Sequence, residues 1–196
     1  MCKFSNENKQ KLGNAIVYIA SHTKQLSKTK LLKLLYLMEE YMVKRYHLPF
    51  LSMPYEVWQA GPVAKDVFID LSDGPFLLKD FVKTVVCEGG TFILPICDFS
   101  DDEFMDCEID MMDDILHKYG VMTAKQLVAE THKPGTLWYQ EAEKHGLLEA
   151  FRNHECNNSD FRIDFSRILP ECAAEDYKRS LEIRETANEL RIKGNV

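Results

Sequence analysis

Apolar positions in this chain recur mostly at helical spacing. Leu12, Ile16 and Ile19 predict a first helix that follows Ser5 and ends near Ser21. Ser27 can cap a second helix, Lys28 to Tyr46. There Leu31, Leu34, Leu35, Met38 and Met42 form one stripe, widened by Leu32, Tyr36 and Val43. A helix apolar over most of its circumference belongs at the centre of a fold. Pro49 requires it to end first, because the residue before proline disfavours the α region.

Residues 54–60 alternate and predict a short strand. Gly61-Pro62 then breaks the chain, with Pro62 suited to the first turn of a third helix through Val63, Val67 and Leu71 to about Ser72. Asp73-Gly74-Pro75 is a turn. Two β-rich runs, 82–88 and 91–96, flank Gly89-Gly90, a direct hairpin signal because primed turns need positive φ. A lone hairpin is marginal, so the strand at 54–60 is expected to join it in one antiparallel sheet.

Further along, Ser100-Asp101-Asp102-Glu103 reads as a capping box ahead of Met105, Ile109, Met112, Leu116 and Tyr119, with Gly120 as the terminating glycine. Thr123 and Gln126 repeat the box for a helix to about Thr131. Pro134-Gly135 breaks the chain, and Thr136 caps a helix to His145, stopped by Gly146. Residues 153–160 are polar and loop-like, 161–169 suit either a strand or a short helix, and 171–192 form a final helix. The fold class expected is mainly helical α+β, with six or seven helices around a small antiparallel sheet containing the Gly-Gly hairpin. One domain over 5–152 is expected, with 153–196 as a C-terminal extension whose last helix packs on or beside it.

Composition narrows the class. A chain of 196 residues buries enough surface to fold without disulfides or metal. No apolar run approaches the ~20 residues that span a bilayer, and Met1 to Gln10 hold no signal-peptide core, so a cytoplasmic protein is expected. Six cysteines include no Cys-x-x-Cys pair and are expected to be reduced and buried. The net charge of −7 is uneven: residues 1–48 carry nine basic and three acidic side chains, residues 49–114 three and fifteen. Phosphate neutralisation drives nucleic-acid binding, so this balance suits protein partners better.

Motifs for catalysis are missing. The chain has no phosphate loop, no dinucleotide fingerprint, no nucleophile elbow and no His-Glu-x-x-His. His154-Glu155-Cys156 lacks a second ligand pair, and Asp113-Asp114 diverge on a helix, so neither metal nor cofactor is expected. Lys24, Lys28, Lys30 and Lys33 could meet phosphate or an acidic partner, or flank a buried helix. Tyr55, Trp58 and Trp138 suit either the core or an interface.

Two segments resemble a known family. Lys30-Leu31-Leu32-Lys33-Leu34-Leu35-Tyr36, followed by Glu56-Val57-Trp58-Gln59-Ala60-Gly61-Pro62-Val63, is similar to the signature of the SocA-like antitoxin domain, also called Panacea. Tyr119-Gly120, Leu127, Thr131-His132 and Trp138 follow in the family's order, so the resemblance covers about residues 10–150. Two positions depart from it. His47 stands where the family often has glycine, and three residues separate Pro134 from Trp138 where the family often has none. The resemblance implies a bacterial or prophage antitoxin without catalytic activity, paired with a toxin encoded by an adjacent gene. A protease is a second partner it allows, which makes a proteolytic adaptor or regulatory interaction module the alternative function. Only about ten residues stand before the first helix, so autoregulation through an attached DNA-binding domain is not expected. Partner-binding candidates carried over from the family are Tyr36, Trp58, Gln59, Gly61, Pro62, His132 and Trp138.

Overall fold

The structure is a computed structural model that describes residues 6–194. Ser5, expected ahead of the first helix, lies outside them. Helix α1 spans Asn6–His22 and α2 spans Lys28–Tyr46. Ser27 caps α2 as its spacing predicts, its hydroxyl accepting from the Lys30 N–H at 3.3 Å. His47 ends the helix in the left-handed region at φ 58°, its N–H donating to Val43 O. The small penalty that histidine pays there explains how it replaces a glycine.

α2 is the centre of the molecule, with Leu31, Leu34, Leu35 and Met38 fully buried. It also carries buried polar groups, and three of them tie down another segment's backbone. Lys30 donates to Gly120 O at 2.6 Å, capping the helix that ends there. Lys33 donates to Pro62 O at 2.7 Å. Glu39 accepts from the Phe50 and Leu51 N–H groups at 3.1 and 2.8 Å and closes the loop after α2. Lys28 reaches Ser72 Oγ and covers the Phe68 ring at 4.0 Å. Lys28, Lys30 and Lys33 thus make internal contacts rather than a free phosphate patch.

The fold is mainly helical α+β, as expected, with eight α-helices among the described residues and two antiparallel two-stranded sheets. Strand β1 (Glu56–Trp58) pairs with β2 (Gly61–Val63), and α3 (Lys65–Asp70) follows. Strand β3 (Val82–Cys87) pairs with β4 (Gly90–Pro95), so the expected hairpin forms with its turn on Glu88-Gly89, one residue before the Gly89-Gly90 pair expected to make it. The single sheet expected from 54–60 and this hairpin does not form. β1 turns back on β2 instead, while β3–β4 lies against α1 and α2, Ile93 donating to Leu26 O at 2.9 Å. Helical cover replaces the missing third strand. Pro62 therefore sits in a strand rather than a helical first turn. It faces Val57, whose N–H points away to Phe161 O, so no ladder bond requires the missing proline N–H.

Helices α4 (Asp106–Tyr119), α5 (Ala124–Thr131), α6 (Leu137–Lys144) and α7 (Leu147–Arg152) follow. The Ser100–Glu103 box does not start α4. Phe104 packs against Phe50 and Phe99, and the cap falls on Met105, whose N–H donates to Glu108 at 3.1 Å. Gly120 ends α4 in right-handed geometry, φ −63°, its carbonyl held by Lys30. The box at Thr123 and Gln126 forms as expected. The 161–169 stretch contains both readings: residues 157–163 run beside β1, and Phe165–Ile168 form a 3-10 turn before α8 (Glu171–Gly194).

Two expectations change. Cys87, Cys97 and Cys172 are exposed and Cys107 and Cys156 half-buried, because they fall on a hairpin tip, loops and helix surfaces rather than in the core. The basic start and acidic middle of the chain partly pair with each other: Lys11 binds Glu108 at 2.6 Å and Lys9 binds Asp80 at 2.7 Å. No described helix is long and apolar enough to cross a membrane.

Candidate functional site

The β1–β2 turn, α5, α6 and α7 bring most of the predicted site residues together. Gln59 and Ala60 form the turn, and Gly61 follows at φ 96°. A Cβ on Gly61 would lie 2.8 Å from both Lys33 Cε and Thr131 Oγ1. Glycine is thus required twice, for its backbone angle and for the approach of two buried side chains. Beneath the turn, Lys33 is 1% exposed and its one hydrogen bond among the described residues goes to Pro62 O. Burial without a carboxylate partner brings its ammonium down to about 7.

Two rings from the following helices hold the turn from the side. Trp138, 2% exposed, donates its indole N–H to Trp58 O at 3.0 Å. His132 ends α5 with Nδ1 2.5 Å from Val128 O and Nε2 3.0 Å from Gln59 O. Burial is the largest influence on this imidazole and lowers its pKa below 6.5; the two carbonyls oppose that shift, and the Lys33 charge adds to it. The rings of His132 and Trp138 meet at 3.7 Å between centroids. Trp58 is half-buried, packs edge-on against Phe68 at 5.0 Å and donates to Glu56 at 2.9 Å. Gly61 and Pro62 are buried. Tyr36 belongs to another cluster on α2, 1% exposed, with its ring against Tyr55 and Phe165.

A recess of about 260 Å³ opens beside this arrangement. Gln59, His132, Trp138 and Tyr139 line it together with Leu148, Phe151 and Arg152 of α7. Sequence reading stopped at Gly146 and missed α7. The signal was present, since Leu147, Leu148 and Phe151 stand at helical spacing directly after that glycine. Gln59 bridges to α7, donating to Phe151 O at 2.7 Å and lying 3.1 Å from His154 Nδ1. The site is a rigid turn with satisfied backbone bonds beside a partly apolar hollow, an arrangement suited to contact.

A family model for the SocA-like antitoxin, Panacea domain matches residues 31–139, more than half of the chain. The chain belongs to this antitoxin family. No curated protein and no solved structure matches it.

Proposed function

We propose that this protein is an antitoxin that neutralises a cognate toxin, encoded by an adjacent gene, through direct binding without a chemical step. The observation that carries this reading is the convergence of the family's separated motif residues on one turn. Lys33 supports it from below, and His132 and Trp138 from the side. Such support fixes a recognition surface before binding, which lowers the cost of ordering it. Trp58, Gln59 and His132 form the contact edge, while the buried Gly61, Pro62 and Trp138 shape it. Tyr36 anchors the helix that carries Lys33.

The experiment is co-expression with the neighbouring gene product, followed by co-purification and a growth assay. A toxic neighbour, growth restored by this chain and a stable complex are the expected outcome. If growth returns while the toxin disappears from the cell, and stays when a protease is deleted, the chain works as a proteolytic adaptor. A neighbour harmless on its own removes the antitoxin reading.

A further inference from the structure

The recess between the β1–β2 turn and α7 has a composition that defines what it can accept. Nearly every polar group around it is already engaged. His132 faces two carbonyls, the Trp138 N–H is bound to Trp58 O, and the Gln59 amide is bound to Phe151 O. What remains for a ligand is the half-buried Leu148 and the Tyr139 ring with its hydroxyl, over the nearly sealed Trp138 and Phe151, plus one cation, Arg152. Arg152 is exposed and has no ion pair among the described residues.

The charge of the surroundings agrees. The chain carries 31 Asp and Glu residues, yet none lines this recess. Lys33, buried beneath the turn, is only partly charged near pH 7, so Arg152 is the standing cation of the lining. With no carboxylate in the lining, the Arg152 guanidinium favours an anion there. Size excludes a large metabolite: about 260 Å³ falls below the usual range of small-molecule sites, roughly 300–1,000 Å³. It fits one or two side chains of a protein.

We infer that the recess receives an apolar side chain of the toxin flanked by an aspartate or glutamate, the apolar group against Leu148 and Tyr139 and the carboxylate on Arg152. This rests on the proposed direct binding of a toxin and adds where the toxin docks and what it presents. Arg–carboxylate pairs are frequently bidentate, and an aromatic floor with an arginine at its rim has the composition of interface hot spots.

The test uses the full chain co-expressed with the neighbouring gene product, comparing wild type with Arg152→Glu, Arg152→Lys and Leu148→Glu. Lys178→Glu, an exposed reversal on α8, is the control. Melting temperatures check that each variant is folded. Expected results are at least a tenfold weaker complex and lost growth rescue for Arg152→Glu and Leu148→Glu, a smaller loss for Arg152→Lys, which keeps the charge but not the bidentate fork, and little change for Lys178→Glu. An acidic-to-basic substitution in the toxin should restore binding to Arg152→Glu. If folded Arg152→Glu and Leu148→Glu bind like wild type, the docking site is wrong while direct binding stands. If wild type itself holds no toxin, the proposed function falls and the docking site falls with it.

Discussion

Lys33 and Glu39 lie less than two turns apart on α2, and both are sealed from solvent. Each is shifted chiefly by its own burial, Lys33 from 10.5 down to about 7 and Glu39 from 4.5 up to about 7. The stability effects have opposite signs in adjoining pH windows. From pH 4.5 to 7 the folded chain holds the Glu39 proton more tightly than the unfolded chain, so this group lowers stability as pH rises. From pH 7 to 10.5 the unfolded chain holds the Lys33 proton more tightly, so stability rises with pH. Lys33→Met keeps the bulk and removes the titration. Its stability relative to wild type should be highest below pH 7 and decline by about 3 kcal/mol between pH 7 and 9.5. Stopping there avoids the buried tyrosines, Tyr36 and Tyr55, whose unfolded forms ionise above about pH 10. The measurement is chemical denaturation of both proteins at several pH values. A constant difference across the range would mean that Lys33 titrates normally and is not desolvated as the structure places it.

Elements written by local rules were legible in the sequence. The Ser27 cap, the apolar α2 and the Thr123 box stand where their patterns put them, and the hairpin forms with its turn shifted by one residue. Elements decided by distant contacts were not. β1–β2 escaped notice because its turn residues, Gln59 and Ala60, lack the Asn-Gly or Gly-Gly signature; the positive φ falls on Gly61, just after the turn. α4 begins later than its capping box because Phe104 is drawn into contact with Phe50 and Phe99. The site was half legible for the same reason. Family motifs point to Trp58, Gln59 and His132, but only the fold shows that Lys33 lies under their turn and that Arg152 faces it. Gly61→Val tests the hairpin as an element. A β-branched residue at φ 96° carries backbone strain, and its Cβ meets Lys33 and Thr131 at 2.8 Å. Strain and overpacking together should cost about 2–4 kcal/mol. For a chain of this size that lowers the melting temperature by roughly 5–15 °C. Calorimetry showing an unchanged melting temperature would contradict this account of the turn.

At the scale of the whole molecule, the family match ends at residue 139, but the contacts that complete the site do not. Residues 157–163 occupy the free edge of β1. Val57 donates to Phe161 O at 2.9 Å, Gln59 to Asn157 O at 3.0 Å, and Ile163 to Tyr55 O at 2.8 Å. Ser159 adds a hydroxyl bond to Val57 O at 2.6 Å. Phe165 then closes over Tyr36 and Tyr55, with ring centroids 5.7 and 5.8 Å away, and Tyr177 of α8 is 3% exposed. Cutting the chain after residue 152 would strip these partners from β1 and bare two large buried rings. Unpaired backbone groups and lost aromatic burial each cost kilocalories, against a total stability of only about 5–15 kcal/mol. A chain of residues 1–152 should therefore lose cooperative unfolding and bind a hydrophobic dye. A chain ending at residue 184 should melt within a few degrees of the full protein, because Ile183 and Leu190 are 63% and 65% exposed and that end of α8 buries little. Circular dichroism melts of both truncations decide the matter. If residues 1–152 unfold cooperatively near the full-length temperature, the segment after α7 is an appendage to the fold and not part of it.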